Sequence, residues 1–164
     1  MPQEGFTLVE LIVALVLVGI IGTFTTLFMY TGLNGYLKAK NTAEGALKAQ
    51  IAMDRLSREF RDIDKINAFT DNSTIGYDSL TLPGDRQITY NDPADTIFID
   101  VDGSVNLLLD DVQSFTMTAA YADLNNSGDG NNEVAAIDVS FTVGEIGRQF
   151  STRIFPRNMV SQPP

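Results

Sequence analysis

The segment Leu11–Tyr30 contains twenty consecutive residues without a charged side chain and is rich in Leu, Val and Ile. As a helix rising about 1.5 Å per residue, it is long enough to span a hydrocarbon core about 30 Å thick. The apolar region of a signal peptide is usually shorter, about 7–15 residues, with positive charge before it and a small-residue cleavage site after it. The residues before this segment include no Lys or Arg, and no clean small-residue site follows it. We therefore expect a retained transmembrane helix.

Glu10 is the only charged residue in the stretch GFTLVELIVALVLVGIIGTFTTLFMY, residues 5–30. A bilayer interior strongly disfavours ionised side chains, so a carboxylate there is a functional-site hypothesis. Where water is excluded, this carboxylate needs a positive partner. The alternative interpretation is a charge that is tolerated because it lies near the end of a transmembrane helix.

An apolar pattern with helical spacing continues beyond the membrane segment. Its members are Leu47, Ile51, Leu56, Phe60 and Ile63. Charged residues occupy the other faces of this stretch. We expect one helix from about Phe6 to Ile63, with a transmembrane half over residues 6–30 and an amphipathic continuation over residues 31–65.

Short apolar or alternating segments follow, separated by Gly, Pro, Asn and Asp, which favours β-strands joined by turns. The candidate strands are SLTL (79–82), RQITY (86–90), TIFIDV (96–101), SVNLLL (104–109), VQSFTMTAAYA (112–122), EVAAIDVSFTV (133–143) and RQFSTRIF (148–155). Asp102-Gly103 between two of them is a strong hairpin-turn signal. Residues 66–164 are therefore predicted to form a mostly antiparallel β-sheet domain packed on the helix, an α+β fold. The expected aromatic packing residues are Phe98, Phe115, Phe141 and Phe150.

The composition excludes several kinds of chemistry. The chain has no Cys and no His, which rules out thiol catalysis, disulfides, zinc sites built on these residues and Ser-His-Asp triads. Residues 66–164 carry fourteen acidic side chains against four Arg, which disfavours nucleic acid and suits cations or basic partners. Asp110 and Asp111 are adjacent in sequence, and neighbours on a strand point to opposite faces. We expect no enzymatic activity.

The loop DLNNSGDGNNE, Asp123–Glu133, begins like an EF-hand calcium loop, with alternating oxygen-bearing side chains followed by Gly. Its second half departs from that pattern, because Val134 occupies the twelfth position. The candidate calcium ligands are Asp123, Asn125, Ser127, Asp129, Asn131 and Glu133. A plain hairpin loop rich in Asn, Asp and Gly has the same composition, so calcium and an unliganded loop both stay open.

The sequence GFTLVEL followed by an apolar helix resembles the class III signal of type IV prepilins and type II secretion pseudopilins. Downstream, MDRLSREFRDI, LLLDDVQSFTMTAAYAD, IDVSFTV and FSTRIFPRN resemble minor subunits of the PilW-like and pseudopilin J-like kind. The resemblance implies a prepilin leader over residues 1–5. Prepilin peptidase would cut between Gly5 and Phe6 and methylate the new amino group of Phe6. Glu10 would pair with the amino group of Phe6 on a neighbouring subunit during assembly.

The resemblance also implies a pilin-like fold and a structural function. We expect a minor pilin or pseudopilin that primes or caps a type IV pilus or a type II secretion pseudopilus. The alternatives are a major pilin that forms the shaft and a membrane-anchored periplasmic binding domain that does not polymerise. The expected partners are prepilin peptidase, other minor and major pilins or pseudopilins, and the inner membrane, with a single pass and the head domain outside the cytoplasm. No cofactor is required by this interpretation, and calcium is the one candidate ligand.

Overall fold

The computed structural model describes residue 5 and residues 7–128, 132–144 and 146–161. The chain divides into two units, Met1–Asn41 and Thr42–Pro164. Helix α1, Leu8–Arg61, provides the described helical part of the first unit and enters the second. The predicted long N-terminal helix is therefore confirmed.

The first unit exposes its apolar side chains. From Leu8 to Leu37 the large hydrophobic residues of α1 are exposed, and the helix is long and apolar enough to cross a membrane by length and composition. Its threonine hydroxyls bond to the helix itself: Thr23 donates to the carbonyl of Gly19 at 2.9 Å, and Thr25 to that of Ile21 at 2.8 Å. Such bonds satisfy a hydroxyl within its own helix, which suits a hydrocarbon environment.

Helix α1 ends at Arg61, two residues before the predicted end. Strand β1, Ile63–Thr70, follows, where residues 63–65 were expected to be helical. The reason lies at Asp62, whose side chain accepts hydrogen bonds from the hydroxyls of Ser79 and Thr81. These bonds join the end of the helix to Ser79, the last residue of the second strand, and to Thr81 in the segment that follows it, and the chain turns at Asp62.

The second unit contains two antiparallel sheets. The first has five strands in the order β1-β2-β3-β4-β5, and the second has three in the order β6-β7-β8. After β1 the strands are β2 (Thr74–Ser79), β3 (Arg86–Asn91), β4 (Thr96–Val101), β5 (Ser104–Leu109), β6 (Val112–Ala122), β7 (Glu133–Val143) and β8 (Arg148–Ile154). Six predicted strands are confirmed to within a residue or two. The prediction over residues 79–82 is wrong, because β2 ends at Ser79 and residues 80–82 form bends.

The core lies between the C-terminal part of α1 and both sheets. The buried helix residues are Gly45, Ala49, Ala52, Leu56, Glu59 and Phe60. The predicted apolar face is partly wrong, since Leu47 and Ile51 are 60% and 58% exposed. The step of five residues from Ile51 to Leu56 leaves the helical repeat, whereas the series from Gly45 to Phe60 follows it. Small side chains on that series let the helix backbone approach the sheets.

Aromatic contacts confirm most of the predicted packing. Phe141 stacks on Phe150 with ring centroids 5.7 Å apart, and Phe115 is buried. Phe98 is a correction: it is half-buried, and its neighbours Ile97 and Ile99 are the β4 residues that enter the core. Alternation along a strand places Phe98 on the opposite face of the sheet.

Candidate functional site

Thr7 and Glu10 form the start of helix α1. The N–H of Glu10 donates to Thr7 Oγ1 at 3.3 Å, and the N–H of Leu11 donates to the Thr7 carbonyl at 3.2 Å. Thr7 thus caps the helix, and Glu10 lies in its first turn, where a negative charge interacts favourably with the helix dipole. Gly5 is exposed, and Phe6 lies outside the described residues.

Glu10 has no cation near it along the chain. The first Lys or Arg after it is Lys38, 28 residues further on, a distance of about 42 Å along a helix. Val9, Leu11 and Val13, which are close to Glu10 on the exposed helix surface, are apolar. A positive partner for this carboxylate must therefore come from an amino terminus or from another molecule.

The acidic loop is organised by its own hydrogen bonds. The Asp123 carboxylate accepts the N–H groups of Ser127 and Gly128, both at 3.2 Å. Glu133 is buried, accepts the Leu124 N–H at 2.8 Å, and receives a bond from the Asn125 side-chain amide at 2.6 Å. These hydrogen bonds occupy the carboxylate oxygens that would otherwise be available to bind a cation.

The candidate calcium ligands are therefore only partly located. Asp129 and Asn131 lie outside the described residues. Within residues 5, 7–128, 132–144 and 146–161, no three acidic side chains are grouped so that they could hold a metal. Calcium binding stays a prediction.

A buried polar cluster was not predicted from the sequence. Glu59 on α1 and Arg86 on β3 are 1% and 6% exposed, with Arg86 Nε and Nη2 each 2.8 Å from a Glu59 oxygen. The Tyr77 hydroxyl donates to Glu59 Oε2 at 2.7 Å, and Arg55 Nη2 lies 2.7 Å from Oε1. Burial, together with the adjacent Glu59 carboxylate, raises the pKa of Tyr77. The sequence did contain one signal for this cluster, because Glu59 lies between Leu56 and Phe60 on the buried face of the helix.

Two further carboxylates connect α1 to the sheets. Hydrogen bonds from the hydroxyls of Thr81 and Ser79 lower the pKa of Asp62. Asp110, between β5 and β6, is bonded by Lys48 Nζ at 2.9 and 3.0 Å, and this bond lowers the pKa of Asp110. Both contacts fix the head domain on the helix, which is a structural use of these acids.

Comparison with known protein families gives a match at the N-terminus. Residues 1–26 match the prokaryotic N-terminal methylation motif. The match supports a type IV pilin-like protein. Comparisons with curated proteins and with solved structures gave no match.

The methylation motif bears on how the chain is processed and how it is anchored in the membrane. It supports cleavage by prepilin peptidase and a single N-terminal membrane helix. Proteins of the pilin-like family have a structural function. Gly5 and Glu10 both lie within the matched residues. The capped start of α1 and its exposed apolar surface are the structural counterparts of the motif.

Proposed function

We propose that this chain is a minor pilin or pseudopilin that primes or caps a type IV pilus or a type II secretion pseudopilus. The observation that carries the proposal is Glu10, a carboxylate in an exposed apolar helix with no cation before Lys38, inside a methylation motif. When such helices gather away from water, an unpaired carboxylate is strongly disfavoured. The methylated amino group of Phe6 on a neighbouring subunit supplies the missing charge.

The charge of the head domain favours a minor role. Fourteen acidic side chains against four Arg over residues 66–164 would add like-charge repulsion wherever many copies stack. Salt screens such repulsion only beyond about 8 Å. One or a few copies at a tip avoid most of it. The strand and helix segments that resemble the PilW-like and pseudopilin J-like subunits favour the same role.

Incorporation into filaments tests this function. In cells that assemble the fibre, Glu10→Ala should leave processing at Gly5–Phe6 intact and remove the subunit from sheared filaments. Asp54→Ala, an exposed acid on the same helix, is the matched control and should incorporate normally. Wild-type amounts of Glu10→Ala in filaments would exclude the proposed role of Glu10.

Two mass measurements separate the alternatives. The native chain should begin at methylated Phe6, and an intact Met1 would contradict processing. Quantitative mass spectrometry of sheared filaments should find few copies relative to the most abundant subunit. A comparable copy number would indicate a major pilin, and complete absence from filaments would indicate an anchored binding domain that does not polymerise.

A further inference from the structure

Among the described strands, the edges of the two sheets are β1 and β5 in one sheet and β6 and β8 in the other. A free edge presents unpaired backbone N–H and C=O groups, and proteins usually protect it with charges, bulges or a covering segment. Strand β1 contains two register shifts as well as Asp64 and Lys65. Strand β8 contains Arg148 and Arg153. Both of these edges are protected by charge.

The edge of β6 is covered by loops of the other sheet. The N–H of Val112 donates to the carbonyl of Asp95 at 2.8 Å, and the N–H of Met117 donates to that of Asn72 at 2.9 Å. Backbone groups of β6 are thus already bonded on this side.

Strand β5 has neither kind of protection. Its sequence, SVNLLL, contains no charge and no Pro, and within the described part of the chain it pairs with β4 alone. Val105 and Leu107 are 62% and 57% exposed. One bulge lies at its C-terminal end, opposite Ile97 and Phe98, and the register from Ser104 to Leu107 is regular.

The turn before β5 determines which backbone groups point outwards. Asp102 and Gly103 have φ of 52° and 81°, and their two-residue loop joins the paired residues Val101 and Ser104, as in a type I′ hairpin. The residues flanking such a loop exchange hydrogen bonds, and bonding then alternates along the strand. The N–H and C=O groups of Val105 and Leu107 therefore point away from β4.

Helix α1 extends the apolar surface beside this edge. Ile51, which is exposed, lines a cavity of about 250 Å³ together with Leu107, Leu108 and Leu109, and the ion-paired Lys48 and Asp110 also line it. We use the term β5 edge surface for Ile51, Val105, Leu107 and Leu108. It combines free backbone hydrogen-bonding groups with an exposed apolar strip, as strand addition requires.

The charges around the β5 edge surface specify the occupant. Asp100 and Asp102 lie at its N-terminal end, and one oxygen of Asp100 is buried and forms no hydrogen bond within the part of the chain that the structure describes. Asp110 and Asp111 lie at its C-terminal end, with Lys48 bonded to Asp110. Strand β5 itself is uncharged. Two acidic side chains lie at each end, and Lys48 offsets one of them at the C-terminal end, so both ends carry a net negative charge. Electrostatic complementarity therefore selects a segment with cations at both ends.

We propose that β5 receives an extended segment of another polypeptide, with alternating apolar residues in its middle and Lys or Arg at both ends. The segment adds a sixth strand to the five-stranded sheet. The proposed function identifies the donor as a neighbouring fibre subunit, and the inference rests on that function for this point only. A second copy of this acidic chain is disfavoured by charge as the donor.

Peptide binding tests the proposal independently of fibre assembly. The full chain in lipid nanodiscs is titrated into the fluorescent peptide Lys-Lys-Thr-Val-Thr-Val-Thr-Val-Lys-Lys, with empty nanodiscs as the background. The matched peptide has Glu in place of every Lys. The Lys peptide should bind at least about tenfold more tightly at low salt, and the difference should shrink as salt is raised. Equal binding of the two peptides would overturn the charge assignment.

Substitutions on β5 locate the binding. Leu107→Pro removes an outward N–H and leaves the ladder to β4 intact, so it should weaken binding by about tenfold without loss of the folded state. If Leu107→Pro unfolds the domain, the double substitution Val105→Lys and Leu107→Lys replaces it, because both side chains are exposed. Wild-type peptide affinity in a folded variant, or self-association through β5 in place of peptide binding, would overturn the proposal. Loss of peptide binding with normal processing would leave the pilin-like function standing.

Discussion

Glu59 on helix α1 and Arg86 on strand β3 form a two-pronged ion pair inside the core, with both guanidinium–carboxylate distances at 2.8 Å. The Tyr77 hydroxyl bonds to the same carboxylate. Removal of Arg86 would leave the buried Glu59 carboxylate with the partly exposed Arg55 as its cation, whereas an apolar replacement of both Glu59 and Arg86 would leave no such buried charge. The Glu59–Arg86 ion pair therefore helps to fix the position of helix α1 on the five-stranded sheet.

The first prediction concerns this pair. Arg86→Ala should lower the free energy of unfolding by about 3–5 kcal/mol, because Glu59 loses its buried partner. Arg153→Ala is the control: Arg153 and Asp138 form an exposed pair, and such pairs contribute little to stability. Urea denaturation of the two variants measures the difference. Similar losses in both would mean that the buried pair contributes no more than a surface pair.

The second prediction concerns the helix face. Leu56 is fully buried and Ile51 is exposed. Leu56→Ala should therefore cost about 2–5 kcal/mol, and Ile51→Ala should stay within about 0.5 kcal/mol, as is usual for a surface position. The midpoints of chemical denaturation of the two variants report this directly. A larger loss of stability for Ile51→Ala would indicate that the helix face first predicted from the sequence, which includes Ile51, packs in the core.

The third prediction concerns truncation. Among the described residues, the buried hydrophobic side chains lie between Ala49 and Val160, inside the unit Thr42–Pro164. A chain that begins near Thr31 should therefore be a soluble, cooperatively folded monomer. Circular dichroism and a single thermal transition would show this. A chain without a cooperative transition would mean that the first unit is required for the fold.

The fourth prediction concerns acid. The hydrogen bonds from Thr81 and Ser79 lower the pKa of Asp62 from 3.8. The stabilisation that comes from ionised Asp62 should be complete above that value and should be lost as the pH falls through the folded-state pKa. Asp62→Asn should be less stable than wild type near neutral pH, and the difference should vanish in strong acid. A difference that is independent of pH would assign the effect to packing alone.

The fifth prediction concerns the acidic loop. If Asp123, Asn125 and Glu133 contribute to a calcium site, millimolar calcium should raise the melting temperature of the head domain by mass action. Asp123→Asn should reduce that shift. Magnesium at the same concentration is the control, because it requires a more rigid octahedral site. An unchanged melting temperature would establish the loop as a hairpin held by its own hydrogen bonds.

The regular elements were predictable from the sequence because each has a simple period. An uncharged helix and alternating strands such as VQSFTMTAAYA follow directly from side-chain geometry. Strand β1 was not predictable in the same way. Ile63 and Ile66 are three residues apart in sequence, and both are buried because the register shifts between them. A spacing of three also suits a helix.

The core helix face and the buried ion pair depended on tertiary contacts. Apolar residues at Leu47 and Ile51 indicated one face, but the sheets pack on the face of Ala49 and Ala52. A search for apolar patterns gives most weight to large side chains. It does not recognise a helix face whose small side chains let the backbone approach a sheet closely. In the same way, Glu59 and Arg86 are 27 residues apart, and only the fold brings them together.

The threonine bonds of the first unit have a consequence for assembly. Because Thr23, Thr25, Thr26 and Thr31 each donate to a carbonyl of their own helix, they offer neighbours no free hydroxyl proton. Over residues 7–30, the membrane half is then a mainly apolar helix whose one charged side chain, Glu10, lies near its N-terminal end. If Glu10 pairs with an amino terminus of a neighbouring subunit, as proposed, this pairing is the charged contact that sets the axial position of two such helices. The axial spacing of a fibre would in this way depend on a single side chain, while the sideways arrangement of the helices stays free to adapt to different neighbours.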